Sequence, residues 1–343
     1  MTRHSHIDDS GQRAGLSGEA YAEGVREYLH FHSEQAGGDV EARKSQYQKM
    51  VNHYYDLATD FYQWGWGDSF HFARRYRGEG FRASIKRHQH HLADRVGIHP
   101  GMRVLDVGCG VGGPMRSIAR HTGATIVGIN NNAYQIRKGE TLNARAGLSH
   151  RCNFVKGDFM DIPCASETFD AMYSIEATCH APEREGLFAE LYRVLKPGAV
   201  FGSYEWCLTR RHDLGNREHQ RIKKGIEEGN GLPDLVTIES AHRAAEAAGF
   251  ETVDVRDLAD ECDPETPWYL PLTDDDHWTN FLRSPRGRRV THGLTAVLER
   301  LKIAPKGSLE VSDFLQNAAD ALVAGGRAGT FTPMALLLVR KPS

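Results

Sequence analysis

The sequence predicts an α/β fold: an open seven-stranded sheet with helices on its faces, an aromatic lid before it and an insert subdomain late in the chain. Three observations lead there. From about His88 onward, short apolar runs alternate with stretches of helical period. A glycine-rich turn, Gly108, Gly110, Gly112 and Gly113, directly follows the first apolar run. About 75 residues separate the sixth apolar run from the seventh, which is too long for a plain loop.

The elements follow in order. RVLDVGC reads as the first strand and PMRSIARHT as the next helix. ATIVGIN is the second strand, AYQIRKGETLNARAG a helix and CNFVKGD the third strand. FDAMYSIEA is the fourth strand. EREGLFAELYRVL is an amphipathic helix closed by Lys196-Pro197-Gly198. AVFGSYEW is the fifth strand, VTIESAHRAAEAAG a helix, ETVDVRDLA the sixth strand and MALLLVRK the seventh. Residues 1–87 form an arm, a helix and the aromatic lid, with the first forty or so polar and loosely ordered in part. Residues 88–260 form the core. Residues 261–343 hold the insert, with PWYLPL and two helical stretches, and the last core strand.

Composition narrows the function. The formal net charge is -3 with no dense Lys/Arg run, which gives no basis for nucleic-acid binding. No apolar stretch reaches the roughly 18 residues of a spanning helix, and the polar first twenty residues lack a signal core. A cytoplasmic protein is expected, with peripheral membrane contact compatible. The six cysteines are scattered and read as reduced thiols. No metal is expected: His88, His90 and His91 cluster on a polar helix, best read as a solvated face.

The glycine turn suits a nucleotide-like ligand, because glycines let the backbone turn tightly and approach it closely. Asp106, two residues before Gly108, argues against a dinucleotide, since it would face a pyrophosphate and repel it. The same carboxylate suits the ammonium of S-adenosylmethionine (SAM), with Gly108, Cys109 and Gly110 beneath the ligand. Asn130 ends the second strand, where an amide oxygen can accept a ribose hydroxyl, with Asn131 beside it; a plain Asn-rich turn is the alternative. Gln135 is either a second such contact or a surface residue. Asp158 can accept the adenine amino group while Phe159 packs on the ring, or the pair is a helix cap and a core residue. Ile175, at the end of the fourth strand, completes this set.

Residues 61–72, FYQWGWGDSFHF, crowd Phe61, Tyr62, Trp64, Trp66, Phe70, His71 and Phe72 around Gly65 and Gly67. That interleaving reads as an irregular, glycine-hinged lid over an apolar pocket rather than a helix face. Aromatic faces also stabilise cations. The fourth strand runs into Glu176 and His180, a carboxylate and an imidazole where a methyl group would be delivered. Either could be a base; Glu176 could also be structural, and His180 could orient it or cap the next helix. Tyr62 and His71 join them as catalytic candidates. Tyr204 and Trp206 are pocket wall or structural.

The aromatic segment, LDVGCGVGGP, IEATCHAP, YRVLKPG, YEW, DLAD, PWYLPLT, LVAGG and FTPM occur in the order seen in the sterol 24-C-methyltransferases. The chain resembles that family, its fungal type most closely, from about Tyr47 to Pro342. The resemblance implies a class I SAM-methyltransferase, Rossmann-like sheet and methylation of a sterol side-chain double bond at carbon 24. It implies a carbocation at carbon 25, a hydride shift and deprotonation to a 24-methylene sterol, with S-adenosylhomocysteine as coproduct and no metal. Tyr62, Trp64, Trp66, Phe70 and Phe72 would line the sterol pocket, beside Glu176 and His180. A homo-oligomer is also implied. One position departs: Gln63 stands where the family usually has Glu.

Overall fold

Short runs rich in apolar residues form most of the strands, and amphipathic segments between them return the chain to the next strand. The computed structural model describes residues 19–32, 39–273 and 281–343. In chain order it contains α1 (Glu19–Phe31), α2 (Val40–Ser45), α3 (Tyr47–Trp66), α4 (Phe81–Val96), β1 (Arg103–Val107), α5 (Gly113–Thr122) and β2 (Thr125–Asn130). Then come α6 (Ala133–Arg145), β3 (Cys152–Lys156), β4 (Ala171–Ile175), α7 (Arg184–Val194), β5 (Val200–Leu208), α8 (Arg217–Asn230), α9 (Ile238–Ala247) and β6 (Glu251–Asp257). The chain closes with α10 (Leu270–Thr273), α11 (Pro285–Arg300), α12 (Ser308–Ala328) and β7 (Phe331–Arg340).

The seven strands lie in the order β3-β2-β1-β4-β5-β7-β6. β1 to β5 pair in parallel. β7 slots between β5 and β6, antiparallel to both. Alternating side chains feed two cores. On one face Val104, Ile126 and Tyr173 meet Leu92, Met115 and Ile118 of α4 and α5, together with Ile226 and Leu322 of α8 and α12. On the other, Leu105, Val107 and Met172 meet Leu187, Leu191 and Ala244 of α7 and α9. The parallel strands direct their carboxyl ends to one edge, where open α/β sheets hold ligands.

The amino-terminal arm carries a helix that the sequence reading did not place: α1 buries Val25 and Tyr28 against Met50 and Tyr54 of α3 and Phe314 of α12. Two expectations are corrected. The aromatic segment is helical through Trp66, with only residues after it irregular. Gly65 lies in the last turn of the helix, where its carbonyl accepts from Arg283 Nη1 at 2.6 Å. Gly67, at φ 77°, ends the helix and donates its N–H to Gln63 O. Finally, His88 is not on a solvated face: it is buried and stacks on Tyr204 at 3.8 Å between centroids.

α8 lies where no element was expected. Its packing face relies on glycine: a Cβ at Gly229 would lie 2.2 Å from that of Ala318, so α8 and α12 approach closely.

Candidate active site

Two cavities open at the carboxyl edge of the parallel strands. The first lies over the glycine loop, lined by Gly108, Cys109, Gly110, Asn130, Asn131, Gln135, Asp158, Phe159 and Ile175. All nine were candidate cofactor contacts from sequence. Gly110 has φ 53°, and a Cβ there would meet no atom within 4 Å, so this backbone faces open space. The loop is held from below. Gly108 and Cys109 donate their N–H groups to Ile129 O, and a Cβ on Gly108 would collide with that of Ala177 at 2.4 Å.

Asp106 is the exception among the cofactor candidates. It shares a strand face with Val104, pointing beneath the loop into the core, and does not line this cavity. Its carboxylate accepts from Tyr173 Oη at 2.8 Å. Burial pushes it up to about 7, partly opposed by that hydrogen bond. Asp106 thus sits beneath the glycine loop rather than in the lining of this cavity.

The polar groups of the shelf brace one another. Asn130 Nδ2 donates to Gly110 O (3.0 Å) and Gln135 Oε1 (2.8 Å), while its Oδ1 accepts from Asn132 N. Gln135 is buried, not a surface residue, and donates to Thr59 Oγ1 on α3 at 3.1 Å. Asp158 accepts from Tyr47 Oη and Gln48 Nε2 of α3 and from Met160 N. α3 thus roofs the shelf. Tyr47, Val51, Tyr55 and Asp68 line the cavity too, none foreseen from the sequence. Asp68 accepts from Arg116 Nη2 at 2.9 Å.

The second cavity is walled by rings. Tyr62, Trp64, Trp66, Phe70, His71, Phe72 and Trp206 line it, with Leu232, Leu272, Leu315, Ala319 and Leu322. Trp64 is half exposed and stands at the mouth. One part of the lining is polar: Arg288 and Thr291 from α11, Ser312 and Gln316 from α12. Arg288 Nε there is buried with no hydrogen-bond partner among the described residues. Tyr204, read from sequence as pocket wall or structural, lines neither cavity. It is fully buried, and its hydroxyl pairs with His91 Nδ1 at 2.6 Å.

The two cavities share Tyr55, Phe70, His71, Glu176 and His180. Glu176 is buried, with Oε1 accepting from Phe72 N and Oε2 from Trp206 Nε1, both at 2.7 Å. Its backbone is left-handed, at φ 53°. Burial holds its carboxyl well above the usual range; the two donors and the neighbouring Glu205 adjust this less.

His180 Nδ1 donates to Gly231 O at 3.0 Å, since a carbonyl can only accept, so Nε2 accepts from Tyr55 Oη at 2.9 Å. Burial lowers it to about 4, so the ring is neutral. His71 is built alike: Nδ1 donates to Phe72 O, Nε2 accepts from Gln89, and burial lowers it to about 4. Both imidazoles have both nitrogens engaged, which leaves Glu176 as the carboxylate at the junction. Tyr62 Oη pairs with Tyr54 Oη at 2.6 Å, and burial raises it to about 12. Gln63 lines neither cavity: Nε2 donates to Asp68 at 3.1 Å and Oε1 accepts from Lys138. Burial pushes the Cys179 thiol well up, so it is no nucleophile at neutral pH. Among the described residues no group of three or more His, Cys, Asp or Glu side chains could hold a metal ion. No described helix is long and apolar enough to cross a membrane.

Comparison with known proteins agrees with this arrangement. Residues 105–202 match a methyltransferase domain model, and residues 278–343 match a sterol methyltransferase C-terminal model. The chain is 50% identical to cycloartenol-C-24-methyltransferase 1 of Oryza sativa subsp. japonica, covering 100% of this chain and 99% of that one. It is 47% identical to a sterol 24-C-methyltransferase of Saccharomyces cerevisiae, covering 100% and 93%. Plant and fungal relatives thus match to a similar degree. In fold it is similar to the mycolic acid cyclopropane synthase CmaA1, with a TM-score of 0.68 at 19% identity, covering 85% of this chain and 97% of that one. With a SAM-methyltransferase sheet, a ring-walled cavity beside its glycine loop and relatives matched along its whole length, this chain belongs to the sterol 24-C-methyltransferase family.

Proposed function

We propose that this enzyme methylates the side-chain double bond of a sterol at carbon 24 and releases a 24-methylene product. The observation that carries the reading is that Glu176 lines both the shelf and the ring-walled cavity. SAM, when bound, supplies an electrophilic methyl group and keeps the electron pair of the broken S–C bond. Gly108, Cys109 and Gly110 fit beneath it, Asn130 and Gln135 beside its ribose, and Asp158 with Phe159 at its adenine.

The sterol alkene donates its π electrons to the methyl carbon, which leaves a cation at carbon 25. A hydride moves from carbon 24 to carbon 25. The cation at carbon 24 is quenched when the new methyl group loses a proton and the C–H pair becomes the double bond. Glu176, raised by burial and held by Phe72 N and Trp206 Nε1, is the group that takes that proton. Ring walls keep water from trapping the cation and offer π faces to it. His180, His71 and Tyr55 hold the junction in shape. The sterol hydroxyl lies toward Arg288, Thr291, Ser312 and Gln316, a polar stretch of the lining contributed by α11 and α12.

The test is incubation with methyl-labelled SAM and paired sterols with and without the side-chain alkene. Label should enter only the alkene-bearing sterol, in the new methylene carbon attached to carbon 24. Transfer to saturated sterols, or to an oxygen, overturns the reading.

A further inference from the structure

α11 has two unlike faces. One meets α12: Arg288 pairs with Asp320 at 2.8 Å and donates to Gln316 O, Thr295 and Gly287 are buried, and Thr291 lines the ring-walled cavity. The other carries Val290, Leu294 and Val297, continued past the helix end by Leu301 and Ile303. All five are more than half exposed, between 53% and 69%. The spacing 290, 294, 297, 301 is that of one helix face. Isolated exposed hydrophobic side chains are ordinary on a protein surface, but a continuous ridge is not.

Among the described residues, basic side chains border the ridge: Arg289, Arg300, Lys302 and Lys306 are all exposed along it. The acidic neighbour Glu299 is turned inward, accepting from Gly307 N at 3.0 Å and Leu309 N at 2.8 Å. An apolar stripe flanked by arginine and lysine is the pattern of a helix lying in a membrane interface. Basic side chains there gain from anionic headgroups.

We propose that α11 and the turn after it dock this enzyme on an anionic lipid surface, with Val290, Leu294, Val297, Leu301 and Ile303 entering the headgroup region. The helix that touches the membrane is also the helix that lines the cavity. A water-insoluble substrate can therefore pass from bilayer to pocket along it. That delivery role rests on the sterol reading; the membrane contact does not.

The experiment is co-sedimentation of the full chain with phosphatidylcholine vesicles, with and without phosphatidylserine. The wild type should bind the phosphatidylserine vesicles and lose binding as salt is raised. Leu294→Asp with Val297→Asp should weaken binding by about tenfold or more, because affinity scales with the apolar area buried. The doubly substituted protein should keep its melting temperature, its SAM affinity and its turnover of detergent-dispersed sterol. Wild type that binds neither vesicle overturns the proposal. So does a double variant that binds vesicles unchanged while a sedimenting oligomer falls apart, which would give the ridge to a second copy of the chain. Ridge-dependent vesicle binding by a wild type that turns over no sterol would uphold the membrane contact and sink the sterol reading alone.

Discussion

Trp206 Nε1 on β5 reaches across the strand ends to donate to Glu176 Oε2 just beyond β4, at 2.7 Å. A donor to a carboxylate favours its charged form, so this bond opposes the burial that raises Glu176.

Glu176→Gln should lower kcat by about 10²-fold or more, the usual loss for a general base, with SAM affinity unchanged by calorimetry. Wild-type activity should rise with pH along a limb above the ordinary carboxylate range, and the variant should lack it. Trp206→Phe should move that limb to higher pH. A limb that stays in place in Glu176→Gln belongs to another group.

Asp106 sets a pH dependence of stability. Its folded value of about 7 lies above its ordinary 3.8, so the folded protein holds this proton more tightly than the unfolded chain. The resulting stability is full below about 3.8 and is lost as pH rises through 7. A tenfold difference in proton affinity corresponds to roughly 1.4 kcal/mol. Asp106→Asn should therefore gain melting temperature over wild type as pH rises from acid to neutral in the SAM-free protein. Parallel curves would reject this. Since Asp106 lies under the loop, SAM affinity in the variant should fall through loop position rather than a lost direct contact.

Gln63→Glu should leave turnover within about a fewfold, because the side chain faces Lys138 and Asp68 instead of either cavity. An exposed ion pair with Lys138 is worth about 0–1 kcal/mol. Collapse of activity would mean that the helix end moves to bring residue 63 to the substrate.

A sterol bearing a protonated nitrogen at position 25 should bind more tightly than the neutral substrate. Cation–π contact contributes about 0.5–2 kcal/mol per ring. Phe70→Leu should cost the charged ligand more than the neutral one. Trp66→Leu should weaken both alike, since the Arg283 guanidinium already sits 5.6 Å from the Trp66 centroid and 3.8 Å from that of Phe81, and repels a second cation. Equal losses in the Phe70 variant count against a cation-stabilising wall.

The central strands β1, β2 and β4 were legible because each is a short apolar run ending in a turn, and the carboxyl ends of β1 to β4 carry the shelf residues in order. α8 was not. Its apolar face has little beyond Ile222 and Ile226, and much of its packing is glycine against alanine, which leaves no hydrophobic period to read. Residues 61–66 were misread because Gly65 among rings looks like a hinge, while it lies in the last turn of α3, its carbonyl met by Arg283 from more than two hundred residues away. Glu176 and Trp206 were each visible, but not their bond. Asp106 was found but placed on the wrong side of the loop, because strand alternation turned it under the glycines.

β7 has a consequence for how the molecule is made. It is the latest strand along the chain, yet it sits inside the sheet and supplies the pairing partner of β6. Synthesis proceeds from the amino end, so a growing chain that has reached β6 carries an open β5 edge and an unpaired β6 with nothing between them. Such unpaired edges invite association with other chains. Nascent molecules on crowded ribosomes are thus most exposed to aggregation while α11 and α12 are being made. Chaperone demand should peak over that stretch and end when residues 331–340 emerge.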